Sequence, residues 1–393
     1  MQKEHYSLDM ILIEQNKTEL LSLLKMLISI PSVNTGENQQ GIPEQAIAEF
    51  VGGYLKDIGM EVEWLRMPNG RPNVLGRWPG SKNKKVLILT AHMDTVNVEG
   101  MTSDPFAGKM HGGRIYGRGA CDTKGSLAVY LWVLRAIADH RDMLDMDVQF
   151  LATCDEENGC VGSTWLTENN LIKADRVIVG EPTNCEIAIA HRGSIVLEFY
   201  TTGVSAHASV PERGDNAVYQ MSDLINCLRK EWLAKIAQGA HPVLGNACAS
   251  VTMIQGGLRY NIIPDQCKIV VDMRILPGQE PEAILQELEG ILCPLRQTDK
   301  VNYRICCQSH QPALYTDPEI PFVKKLLQAG REVTGKAEPV GVPYFADSSQ
   351  FARLGAECVL LGPGDIAQAH GACEFLELEQ LYQSAEILLR FFT

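Results

Sequence analysis

The chain has 393 residues, 45% of them hydrophobic and 21% charged, with a formal net charge of −13 and a pI near 5.2. That length exceeds one ordinary core, so two domains are expected, and the acidic balance argues against a nucleic-acid surface or an anionic membrane as main partner. No apolar run is long enough to span a membrane.

The first 21 residues, "MQKEHYSLDMILIEQNKTELL", lack the basic region, apolar core and small-residue cleavage site of a signal peptide. A cytoplasmic protein is the simplest reading. The 12 cysteines contain no C-x-x-C pair, which fits reduced thiols in a reducing compartment.

In chain order, apolar periodicity predicts helices over 11–30 and 43–59, separated by "PSVNTGENQQG". Strands are expected at 61–66, 73–78 and 85–91. A helix buried on most sides follows at 124–140, then strands at 148–154 and 175–180. Alternating strands and helices imply an α/β unit with a largely parallel sheet covered on both faces. From residue 187, "IAIAHRGSIVLEFYTTG" reads as one long alternating strand region. A helix near 214–234, strands near 249–254 and at 268–276, a helix near 280–293 and a strand at 301–307 complete a β-α-β-β-α-β order, the ferredoxin-like split motif. The earlier pattern resumes after 310, with a helix at 319–334, a strand at 358–362 and a terminal helix near 377–392. The expected organisation is therefore a domain of residues 1–190 and 310–393 with an insertion of 191–309.

Three strand ends carry chemistry. "VLILTA" ends at His92-Met93-Asp94, "VQFLATC" at Asp155-Glu156-Glu157 and "DRVIVG" at Glu181-Pro182-Thr183. In open α/β sheets, ligands bind outside the carboxyl ends of the strands. Each piece also has a plain reading: a helix cap for "DEEN", a Pro turn for "GEPT", a buried histidine for His92. Three of them at matching strand ends favour a site. "YGRGACDTKGS" adds Asp122 before a helix, where an N-cap is the ordinary role, and "GPGDIAQAHGACE" adds His370 in a Gly/Pro loop. Histidines and carboxylates in this mixture suit a pair of divalent ions such as Zn²⁺.

Taken in order, "AHMDTV", "GRGACDTKG", "DEENG", "GEPT", "GVSAHASVPERGDNAV", "NIIPDQCKIVVDMRILPG" and "GPGDIAQAHGACEFL" resemble one family over nearly the whole chain. It is the co-catalytic zinc hydrolases that include acetylornithine deacetylase, succinyl-diaminopimelate desuccinylase, aminoacylase and the glutamate carboxypeptidases. The resemblance implies that His92, Asp122 and Glu181 hold one metal, and that Asp122 bridges to a second held by Glu157 and His370. Glu156 is then the general base for attack by a metal-bridging water, and Asp94 accepts a hydrogen bond from His92. A cis peptide at Asp122–Thr123 is implied as well.

In the insertion, the resemblance makes His207 an oxyanion donor reaching the partner subunit's active site, and Arg274 and Asn261 anchors for a substrate carboxylate. On its residues alone, Arg274 reads equally as a strand arginine paired with Asp272. The insertion becomes a dimerisation or lid domain of a homodimer. The chain departs from the family pattern at "HGACE", where many members carry Pro-Asn before the Glu, and at "VPYFADSSQF" (342–351). The expected function is a deacylase of N-acyl amino acids, closest to the acetylornithine deacetylase branch, using two Zn²⁺ ions, with Co²⁺ or Mn²⁺ able to satisfy the same ligands. The alternatives are a dipeptidase or glutamate-type carboxypeptidase of the same family and, more remotely, a non-catalytic binding protein on the same scaffold.

Overall fold

The computed structural model describes residues 14–36, 41–79, 84–238, 240–298 and 300–393. The chain divides into two compact units. One takes in the chain up to Ile189 with Thr316–Val340 and Ala346–Thr393; the other is Ala190–Tyr315 with Gly341–Phe345. Among the described residues, no helix is long and apolar enough to cross a membrane. The first expected helix is described from Glu14 to Ser29, and residues 11–13 of it lie outside the described residues.

The first unit is α/β, built on a mixed sheet. From one edge its strands run Glu61–Arg66, Pro72–Arg77, Asp147–Thr153, Val86–His92, Arg176–Val179, Glu357–Leu360 and Ala188–His191, the last beginning in this unit and ending in the other. Pairing is parallel only across the middle four and antiparallel on either side. The expectation of a largely parallel sheet therefore holds at the centre, where apolar runs such as "VLILTA" are buried residue after residue and both faces are covered. At the edge, Glu61–Arg66 alternates between exposed and covered positions, as a half-solvated antiparallel strand does.

The helix Lys124–Ile137 is buried along almost its whole length. It packs against Glu14–Ser29, Leu378–Phe392 and the Val86–His92 strand. Two of its long polar side chains find internal partners. Lys124 Nζ donates to the Ile30 carbonyl at 2.7 Å, and the Tyr130 hydroxyl to that of Leu361 at 2.6 Å. Such bonds offset part of the cost of burying those groups.

The second unit has a four-stranded antiparallel sheet in the order Cys248–Gly256, Gln266–Ile275, Gly193–Thr202, Tyr303–Gln311. This is the strand order of a split β-α-β-β-α-β motif. Period-two alternation sends Ile195, Leu197 and Phe199 inward with Ile269, Val271 and Met273. Met221 and Leu224 of Ala217–Cys227 and Ile284, Leu288 and Leu292 of Pro281–Thr298 complete that core.

Two local readings are corrected. "IAIAHRGSIVLEFYTTG" is two strands, Ala188–His191 and Gly193–Thr202, because the chain leaves one sheet and enters another at Arg192. Gly193 permits the switch, since a Cβ there would lie 2.3 Å from the Gln311 carbonyl oxygen. The helix expected near 214–234 begins regular winding at Ala217 under an Asn216 cap and loosens into a wider turn over Leu228–Trp232.

Candidate metal centre and its supports

Register brings the strand ends level. His92 lies opposite Thr153 and Thr90 opposite Val179, so the segments after each strand emerge at one sheet edge. The fourth segment is turned in by Gly119 (φ +82°), where a Cβ would meet Lys124 and Thr95 at 2.9 Å. Asp122 follows, joined to Thr123 by a cis peptide bond. Thr123, not Asp122, occupies the cap position of the helix, and the Asp122 side chain is free for another role. Gly362 lets the His370 segment press onto the Glu181 carbonyl oxygen, which would lie 2.5 Å from a Cβ at that position.

Asp122 stands at the centre. Its Oδ1 lies 3.0 Å from His92 Nε2 and its Oδ2 3.2 Å from His370 Nε2. His370 Nε2 is also 3.1 Å from Glu157 Oε2. Ligand atoms of His92, Asp122 and Glu157 fall within 4.8 Å of one another. Glu181 is buried, and its carboxyl is pushed well up, first by burial and then by the Asp122 charge. Glu156 is buried next to Glu157. Its Oε1 receives the Cys160 thiol at 3.4 Å, and its ligand atoms cluster with those of Cys160 and Asp347. Asp347 in turn accepts from the Thr153 and Ser163 hydroxyls at 2.7 and 2.5 Å.

Charge in this pocket is under tension. Burial pushes Glu156 well above the usual carboxylate range, and burial with the Asp122 charge pushes Glu157 up to about 7. Burial also acts to raise Asp122, but hydrogen bonds from His370 and His92 hold it below its ordinary value. His370 is pushed up to about 10 by its bonds to Asp122 and Glu157. Burial opposes protonation of His92, yet the Asp122 bond and the Glu156 and Glu181 charges raise it well above normal. Acids packed this closely favour added cations. Among the described residues, Glu157 Oε1 is buried without a hydrogen-bond partner. That vacant acceptor, with two imidazoles and three carboxylates, fits a pair of divalent ions.

Asp94 departs from expectation. His92 Nδ1 bonds the main-chain carbonyl of Asp94 at 2.9 Å, while the Asp94 carboxylate stands off at 3.7 Å. The carboxylate is engaged elsewhere. Its Oδ1 accepts the N–H of Glu156 at 3.1 Å, and its Oδ2 accepts the N–H of Glu157 at 3.2 Å and the Asn34 amide at 2.8 Å. Asp94 therefore aims the imidazole through its backbone and holds the Glu156–Glu157 dipeptide through its side chain. Met93 is wholly buried.

His207, Asn261 and Arg274 lie in the second unit. His207 pairs with Ile262 in a short ladder, and the Asn261 carbonyl accepts from Ala208 N–H at 3.0 Å, so His207 and Asn261 are close neighbours. His207 is exposed, with Nδ1 2.7 Å from Ser209 Oγ. Arg274 donates to Asp272 through Nε at 2.9 Å and Nη2 at 3.3 Å, and its guanidinium lies 6.0 Å from the Phe345 ring centroid.

Residues 88–393 match the sequence profile of Peptidase family M20/M25/M40. The chain belongs to that family. It is a metallohydrolase acting on amide bonds. An acetylornithine deacetylase from Myxococcus xanthus is 31% identical over 345 residues, covering 86% of this chain and 85% of its own. Aminopeptidase PepT from Bacillus cereus superposes with a TM-score of 0.78 at 21% identity, covering 96% of this chain and 98% of its own. The YXEP protein of Bacillus subtilis, described as a dinuclear metal-binding peptidase, gives 0.73 at 16%, covering 96% and 98%. These two structures share the fold of this metallohydrolase.

Sequence reasoning passed over Asn34, Asp347 and Glu374. Glu374 signals itself only as an acid four residues after His370, in "HGACE".

Proposed function

We propose that this metallohydrolase removes the acyl group from an N-acyl amino acid, as an acetylornithine deacetylase does, in a cytoplasmic setting that its cysteine usage suits. The observation that carries the two-metal reading is Asp122, with one carboxylate oxygen toward each of two histidines and Glu156 alongside. The choice of deacylase rests on the acetylornithine deacetylase relative, aligned over 86% of this chain.

His92, Asp122 and Glu181 would hold one ion, and Asp122, Glu157 and His370 the other. Zn²⁺ suits these ligands best, and Co²⁺ or Mn²⁺ would satisfy them too. The ions would supply Lewis-acid polarisation of the amide carbonyl. Glu156 takes a proton from the attacking water as oxygen adds to the carbonyl carbon. It returns that proton to the amine nitrogen as the C–N bond breaks, leaving a free acid and a free amine. A carboxyl whose burial raises its proton affinity can carry the proton between those steps. Arg274 and Asn261 would anchor the substrate carboxylate, for which a guanidinium fork is well shaped. His207 would donate to the oxyanion from the partner of a homodimer. In this reading residues 1–190 and 310–393 form the catalytic domain, and 191–309 the dimerisation or lid domain.

The test is a zinc-loaded enzyme assayed on N-acetyl, N-succinyl and aminoacyl amino acids. N-acetyl substrates should be turned over fastest. Glu156→Gln should lower kcat by about 10²–10⁴-fold while zinc content stays at wild type. Preference for aminoacyl substrates would favour the dipeptidase or carboxypeptidase reading, and an active Glu156→Gln variant would remove Glu156 as the base.

A further inference from the structure

Three consecutive main-chain N–H groups beside the centre each end on a buried carboxylate. Glu44 Oε1 accepts from Asp155 at 3.1 Å, Asp94 Oδ1 from Glu156 at 3.1 Å and Asp94 Oδ2 from Glu157 at 3.2 Å. Asp155 sits at φ 58°, a left-handed conformation that Asp tolerates better than most residues. Its own carboxylate is held as well: Oδ1 meets Arg71 Nη1 at 2.7 Å and Asn34 Nδ2 at 2.8 Å. Arg71 also pairs with Glu44. Glu44, Arg71, Asp94, Asp155 and Asn34 are all buried.

Asn34 is the hinge of this arrangement. Its Nδ2 donates to Asp94 Oδ2 at 2.8 Å and to Asp155 Oδ1 at 2.8 Å, one amide hydrogen for each acid. Its Oδ1 accepts the Gly36 N–H at 3.0 Å, so the nitrogen must face the acids. The backbone is pinned too, since Asn34 N–H donates to the Thr95 carbonyl at 2.8 Å. Asp94 and Asp155 follow different strands. Without a donor between them, two buried carboxylates would face each other, and their repulsion would displace Asp94.

We propose that Asn34 is a positioning residue: by bridging Asp94 and Asp155 it fixes the main chain of Glu156–Glu157, and with it the aim of the base and of one metal ligand. Arg71 and Glu44 complete the clamp from the other side. The roles of base and ligand rest on the proposed function, but the clamp itself does not. A shift of about 1 Å at such a site can cost 10²-fold in rate, whereas the proposed substrate anchors Arg274 and Asn261 are untouched. The loss therefore falls on kcat rather than KM.

The experiment compares wild type with Asn34→Ser, which keeps one donor, and Asn34→Ala, which keeps none. Zn²⁺ affinity is read by competition with a chromophoric chelator, and kcat and KM on an N-acetyl amino acid, with Tm recorded for each protein. Zn²⁺ affinity and kcat should fall in the order wild type, Ser, Ala, by about 10–100-fold in all, with KM held within a few-fold. A fall in Tm with Zn²⁺ affinity and kcat unchanged would overturn the proposal and leave Asn34 a purely structural residue. If the Ala variant does not fold, the Ser variant decides the matter by the same two readouts. If wild type hydrolyses no N-acyl amino acid, the proposed function fails, while the Zn²⁺ titration still judges the clamp.

Discussion

Glu374 holds Asp122 by its backbone: Glu374 Oε1 accepts the Asp122 N–H at 3.0 Å and the Cys121 N–H at 2.9 Å. The other oxygen takes the Gly119 N–H at 3.0 Å and Arg118 Nη1 at 2.7 Å. One buried carboxylate thus ties the loop carrying Asp122 to the loop carrying His370. Residues that orient a ligand in this way typically control metal affinity by about 10–100-fold. Glu374→Gln should weaken Zn²⁺ binding within that range, because its oxygen still accepts on one side while its amide NH2 faces N–H donors on the other. Glu374→Ala should weaken it more and also destabilise the fold by about 3–5 kcal/mol, since Arg118 is left buried and unpaired. Chelator competition measures the first effect and denaturant unfolding the second. Unchanged Zn²⁺ affinity in both variants would confine Glu374 to a role in folding.

Removing divalent ions should make the protein less stable. Asp122, Glu156, Glu157 and Glu181 crowd one buried pocket, and cations relieve their mutual repulsion. A ligand that binds only the folded state at 100 times its Kd adds about 2.7 kcal/mol. Tm should therefore drop on treatment with EDTA and recover on addition of Zn²⁺, and His92→Ala should abolish most of that recovery. Identical melting curves with and without chelator would argue against a metal centre here.

His191 predicts an acid limb in the stability profile. The side chain is wholly buried; its Nδ1 bonds the Arg192 carbonyl at 2.9 Å, and its Nε2 has no partner among the described residues. Burial lowers its pKa from 6.5 to about 4. Between those values the unfolded chain binds a proton that the folded chain refuses, so stability falls as pH drops from 6.5 toward 4. The slope approaches about 1.4 kcal/mol per pH unit for one group. His191→Asn keeps a donor for the Arg192 carbonyl and removes the titration. Denaturant midpoints of the chelated proteins across this range should show a shallower slope in the variant, whatever its absolute stability. Parallel slopes would mean that His191 titrates alike in both states.

The strand ends were legible because a parallel sheet delivers its carboxyl ends to one edge, and the buried strands stand out as apolar runs. "VLILTA", "VQFLAT" and "RVIV" announce where His92, Glu156 and Glu181 emerge. The clamp was not legible. Asn34 reaches its acids across 60 and 121 positions, and Glu374 reaches Asp122 across 252. Both act on main-chain groups or on acids already assigned elsewhere, and such contacts leave no spacing in the chain. The break at Arg192 was hidden for another reason: hydrophobic alternation runs straight through it, while the pairing partners change. The short strands Lys109–His111, Arg114–Tyr116 and Phe375–Glu377 are too brief to show a period, although they tie the loops on either side of Asp122 and His370 together.

The proposed homodimer makes its own demand on the second unit. Among the described residues, Cys248–Gly256 lies at the edge of its sheet, paired on one side only, and carries exposed Met253 and Ile254. Leu258 and Tyr260 just beyond it and Tyr219 on the neighbouring helix are exposed too. Unprotected edges with apolar side chains invite pairing with another chain. Light scattering should give about twice the 43.4 kDa monomer mass. Replacing Met253 and Ile254 together by Lys should yield a monomer, because a charge buried in that pairing would be unpaired. If His207 serves the partner's site, this monomer should keep its Zn²⁺ content yet lose about 10²–10³-fold in kcat, the usual loss for one oxyanion donor. A fully active monomer would rule out the role of His207 across the dimer, and a dimer unaffected by the two lysines would place the interface elsewhere.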